Sequence, residues 1–83
     1  MVRLATFDGI KVYIYPGEHP PPHVHVIYAE FVALVTIEPA KIDKGHLPVS
    51  IERRVIEWVT DHRDQLLEAW LTIGNKQKPE KLL

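Results

Sequence analysis

Apolar and polar residues alternate along the first part of this chain. Ile10, Val12 and Ile14 are interleaved with Lys11, Tyr13 and Tyr15, the period of a strand with one buried face. The stretch "VRLATFDGIKVYIY" therefore reads as two strands or one bent strand. Asp8-Gly9 is a tight-turn pair, because glycine accepts a positive φ. "HVHVIY" alternates again: His23, His25 and Ile27 fall on one face, Val24, Val26 and Tyr28 on the other. Ala29-Glu30 reads as a short turn. "FVALVTI", Phe31 to Ile37, is almost continuously apolar, which predicts burial on both faces or a central place in the sheet. The two runs pair most simply as an antiparallel hairpin. Pro39 ends the second run, and "KIDKGHLP" reads as a loop with at most one short strand, turning at Gly45.

The period then changes. Ile51, Val55, Trp58, Val59, Leu66, Trp70 and Ile73 recur at helical spacing, with His62 on the same stripe. Pro48 stands where a helix begins, and Gly74-Asn75 is a stop signal. Val49 to Ile73 is 25 residues, or ~37 Å of helix, which is long for so small a chain. Thr60-Asp61 suits the N-cap of a second helix. One long bent helix and two successive helices both satisfy the pattern. Strands over about 2–37, a helical region over about 49–73 and a polar tail over 75–83 make a single α+β domain. Its plan is an antiparallel sheet of three to four strands against one helical layer, plugged by Trp58, Leu66 and Trp70. Leu82-Leu83 are expected to fold back at the end of the tail.

Composition narrows the chemistry. The chain has 83 residues, 46% of them apolar, enough for one small core of a few kcal/mol. It contains no cysteine, so disulfides, thiolate metal sites and a cysteine nucleophile are excluded. No secretory signal and no apolar run of membrane-spanning length is present, and a cytoplasmic location is expected. A formal net charge of −1 gives no overall field to attract nucleic acid. Arg53, Arg54, Lys41 and Lys44 are a modest basic set beside Glu52 and Glu57, and read as solvated surface.

The candidate chemistry sits in "EHPPPHVHV", Glu18 to Val26. Proline cannot join a sheet interior, so Pro16 to Pro22 is read as a stiff, polyproline-like loop feeding a strand. His23 and His25, two residues apart, present two imidazoles side by side, and His19 is a candidate third across the prolines. Three imidazoles and a water would make a hydrolytic site for zinc or another transition metal. Glu18 would then be a base or an orienting carboxylate. The bland reading is a stiff turn with histidines on a partly exposed sheet face, and a third reading is a recognition surface. His46 and His62 are further histidines that the fold has to bring close. His62-Arg63-Asp64 cannot converge on one atom, since neighbours on a helix diverge by ~100°. His62 reads as a core histidine with one hydrogen bond, and Arg63 and Asp64 as solvent-facing. No phosphate loop, serine elbow or paired-carboxylate motif is present.

"FDGIKV" at Phe7 to Val12 and "EHPPPHVHVIY" at Glu18 to Tyr28 resemble a known family. So do "ALVTI" at Ala33 to Ile37, "GHLP" at Gly45 to Pro48 and "EWVTDHRDQLLEAW" at Glu57 to Trp70. It is the family of small prokaryotic proteins catalogued as domain of unknown function 4160. The chain departs from the family's pattern at Gln65, where an acidic residue is frequent, and in its Leu82-Leu83 ending. The resemblance implies a stand-alone intracellular protein with no established activity. It also implies a partner: a second small protein encoded beside it, in a two-gene cassette of the toxin–antitoxin kind. A homodimer, nucleic-acid binding and a metal-dependent hydrolase or nuclease using His19, His23 and His25 are the alternatives. The residues alone do not decide whether the chain is an enzyme.

Overall fold

The computed structural model describes residues 2–74. Five strands form one antiparallel sheet in sequence order: β1 (Val2–Phe7), β2 (Ile10–Ile14), β3 (His23–Tyr28), β4 (Phe31–Ile37) and β5 (Ala40–Gly45). The α+β plan stands, with five strands rather than three to four. "VRLATFDGIKVYIY" is two strands, joined at Asp8 (φ 51°) and Gly9 (φ 77°). Two successive positive φ values are what a two-residue hairpin turn requires.

The fifth strand lies in "KIDKGHLP", expected to be mainly loop. Its lysines and single isoleucine carry little strand signal, but β4 offers it a free edge. Pairing runs from Ile37↔Ala40 to Ala33↔Gly45, with a register shift between Leu34 and Val35. Gly45 ends it at φ +85°, where a Cβ would lie 2.2 Å from the Val32 carbonyl oxygen. β4 is thus an interior strand, which accounts for its apolar continuity, although Val32 remains 56% exposed.

Register sorts the side chains onto two faces. Val12↔Val26↔Ala33 and Val24↔Val35↔Ile42 run across the inner face. Ile10, Val12, Ile14, Val24, Val26, Val35 and Ile37 are all buried there. The helical layer covers this face through Val55, Val59, Leu66 and Trp70, with Leu47 from the connecting segment. Trp58 is only half-buried; its ring stacks between Phe7 (5.1 Å) and His62 (4.5 Å).

The helical region is broken, as one of the two expected arrangements: α1 (Val49–Asp61), α2 (Arg63–Ala69) and a π-helical turn, Trp70–Gly74. The break falls at His62, not at a Thr60-Asp61 cap. The His62 backbone N–H and its Nδ1 both approach the Trp58 carbonyl, at 3.0 and 2.8 Å. The Thr60 hydroxyl donates back to Ile56 O instead. A side chain competing for an i−4 carbonyl in this way loosens the helical ladder. Pro48 is the residue before α1, and Glu52 N–H donates to its carbonyl at 2.8 Å. No described helix is long and apolar enough to cross a membrane. Asn75 of the stop signal and the expected return of Leu82-Leu83 lie outside the described residues.

Candidate functional site

The segment between β2 and β3 brings Glu18 to the histidines. Gly17 turns it at φ 77°, and Ile37 N–H donates to Pro22 O at 3.1 Å, pinning the end of the loop to β4. Strand alternation then places His23 and His25 on the outer face, level with Thr36 and Leu34 of β4. Glu18 Oε1 lies 2.9 Å from His23 Nε2 and 2.7 Å from His25 Nε2. Both rings thus converge on one carboxylate oxygen. The ligand atoms of the three residues all lie within 4.8 Å of one another.

Packing holds both rings. Tyr15 lies against His25 (centroids 4.2 Å apart), and Trp70, from the end of the helical layer, lies against His23 (5.0 Å). His23 Nδ1 is 2.9 Å from Pro21 O. A carbonyl oxygen can only accept, so this contact puts a proton on Nδ1. Burial by itself raises the Glu18 pKa. The hydrogen bonds and charge of His25, then of His23, outweigh it and hold the carboxyl below its ordinary value.

The other expected residues lie elsewhere. His19 is exposed and is not one of the three whose ligand atoms converge; Glu18 stands where a third imidazole was expected. His46 is exposed, edge-on to Phe31 at 5.7 Å. His62 is half-buried with its one hydrogen bond to Trp58 O. Arg63 is exposed and paired with Asp64 and Glu38.

A second feature had no signal in the sequence. Register places Arg3 beside Tyr13, Lys11 beside Ile27, Lys41 beside Thr36 and Lys44 beside Leu34, all on the outer face with His25. All four cations are exposed, and none forms an ion pair among the described residues. No acidic residue holds a paired position on this face; Glu18 reaches one end of it from the loop. The helical layer has the opposite balance, with Glu52, Glu57, Asp61, Asp64 and Glu68 against Arg53, Arg54 and Arg63. Arg54 is in addition paired with Asp8 of the β1–β2 turn. Asp43, left unpaired at the register shift of β5, lies exposed between Lys41 and Lys44, so the four cations cluster on the outer face without making it free of carboxylates.

No curated protein and no solved structure matches the chain. The profile of one family, described as Domain of unknown function (DUF4160), matches residues 9–71. That span runs from the β1–β2 turn through the Glu18–His23–His25 cluster to the helical residues packed on it, and on this match the chain belongs to the DUF4160 family.

Proposed function

We propose that this protein acts by binding a partner: a second small protein of a two-gene, toxin–antitoxin-like cassette in the prokaryotic cytoplasm. The observation that supports it is the outer sheet face. Beyond the buried Tyr13 and Thr36, that face combines the exposed Val32 and half-buried Ile27 and Leu34 with four cations that form no ion pair among the described residues. An apolar centre flanked by an excess of cations suits a protein surface of opposite sign. The partner is therefore one that presents an acidic surface. A second copy of the chain would set like charges against each other on this face, so self-association is not the reading favoured. Co-expression with the neighbouring gene product is expected to give a complex that weakens with salt and is lost in a Lys11→Glu/Lys44→Glu double variant that still folds. No complex, or one indifferent to the charge reversal, would overturn the reading. So would RNA or DNA as the retained ligand, recognised by its nucleobase absorbance and its loss on nuclease digestion.

A second reading, metal-assisted hydrolysis of the hydrolase or nuclease kind, is favoured by the convergence of Glu18, His23 and His25. Three protein ligands leave a position for an attacking water. In this reading Glu18 is a ligand, in the place expected of His19, and is not spare to act as base. Hydrolysis of a model phosphodiester, abolished in His25→Ala while complex formation persists, would put catalysis first.

A further inference from the structure

We infer that Glu18, His23 and His25 form a mononuclear site for a borderline divalent transition ion, with zinc the ion that fits best. The inference does not depend on whether the chain works through a partner or as a hydrolase. It starts from an imbalance of protons. Pro21 O holds the proton of a neutral His23 on Nδ1, so Nε2 carries a lone pair. That lone pair faces Glu18 Oε1, itself an acceptor, at 2.9 Å. Two acceptors at hydrogen-bond distance require something positive between them: a second proton on the ring or a metal ion. His25 turns its own Nε2 to the same oxygen at 2.7 Å, so an ion held there would meet three protein ligand atoms.

The surroundings suit a metal. Imidazole that donates its far nitrogen to a backbone carbonyl is the usual outer arrangement of a metal-bound histidine, because the hydrogen bond fixes the tautomer and orients the ring. Tyr15 and Trp70 restrict the two rings further. Nitrogen, nitrogen and carboxylate oxygen is a donor set for zinc, iron(II) and their neighbours. Magnesium and calcium prefer oxygen alone. Bonds of ~2.0–2.1 Å in a tetrahedron set neighbouring ligand atoms ~3.3 Å apart, so entry of the ion needs the carboxylate to withdraw by ~0.5 Å. A carboxylate on a loop can make that movement more readily than the two strand residues. Side-chain exposures of 14% for His23, 20% for His25 and 30% for Glu18 leave the site open to an ion and to a fourth, exchangeable ligand.

The test uses tag-free, chelator-stripped protein titrated with zinc against a chromophoric competitor. One zinc per chain is expected. Affinity should fall by more than about a hundredfold in Glu18→Gln and His25→Ala, beyond the 10–100-fold that loss of an outer-shell partner costs. His19→Ala should bind as the unaltered chain does, and magnesium should not compete. Glu18→Gln keeps the side chain's shape and serves as the folding control for His25→Ala. Cobalt(II) gives an independent signal: in a Trp58→Phe variant the remaining indole, Trp70, touches the His23 ring and its emission should be quenched at one equivalent. No zinc uptake, undiminished affinity in Glu18→Gln, an equal loss in His19→Ala, or magnesium competing on equal terms would each overturn the assignment.

Discussion

Glu18 is the residue on which the outer site turns. Its carboxylate is the shared acceptor of two imidazoles, and its depressed pKa makes the metal-free chain acid-sensitive. A carboxyl whose folded pKa lies below its unfolded value contributes stability above the unfolded value, ~4.3 for glutamate. That contribution is lost as the pH falls through the folded value. Glu18→Gln should therefore be less stable than the unaltered chain at about pH 5–6. The difference should shrink on acidification and vanish once Glu18 is protonated in both states. Thermal denaturation of both proteins over this range, with chelator present, measures it. A difference that persists undiminished in acid would mean that Glu18 acts by packing, not by charge.

At the scale of elements, one sheet has two unlike faces, and substitutions should report them. Val24 and Val32 lie on neighbouring strands, but Val24 is fully buried under the helical layer and Val32 is 56% exposed. Val24→Ala should cost about 2 kcal/mol, the transfer of two methyl groups plus a residual cavity. Val32→Ala should cost within about 0.5 kcal/mol. Chemical denaturation of the pair checks which face each strand presents, since a one-residue slip of either strand would move its valine to the other face. The end of β5 is sensitive for a different reason. At Gly45 any Cβ meets the Val32 carbonyl in a backbone conformation that L residues rarely adopt. Gly45→Ala should destabilise by about 1–3 kcal/mol. It should also loosen the approach to Leu47, a buried residue between sheet and α1.

For the molecule as a whole, a small core makes any specific ligand thermodynamically conspicuous. Binding to the folded state alone at a hundred times the dissociation constant adds about 2.7 kcal/mol. Each kcal/mol moves the midpoint of a domain this size by about 4–8 °C. Zinc in that excess should therefore raise Tm by roughly 10–20 °C, reversibly with chelator and not in Glu18→Gln. Scanning calorimetry with and without the ion measures it. Because Trp70 touches both the buried core and the His23 ring, the same stabilisation should reach the end of the helical layer.

What the sequence determined by itself is the local periodicity. Alternation placed His23 and His25 on one face and Val24 and Val26 on the other, and the 3.6-residue stripe foretold Val55, Val59, Leu66 and Trp70 as core. Asp8-Gly9 carried its own turn, and the prolines marked the loop. These are properties of neighbouring residues, so they are written in neighbouring letters. The tertiary structure decided everything that depends on pairing. β5 exists because β4 has an edge to share, not because "KIDKGHLP" is strand-like. The helix breaks at His62 because that side chain reaches the Trp58 carbonyl, a choice that cap propensities at Thr60 and Asp61 do not contain. Glu18 rather than His19 meets His23 and His25 because the turn at Gly17 and the Pro22–Ile37 hydrogen bond set the path of the loop. Arg3, Lys11, Lys41 and Lys44 stand on one face only because sheet register brings three separate strands into line. Charge summed along the chain cancels; charge distributed by the fold does not.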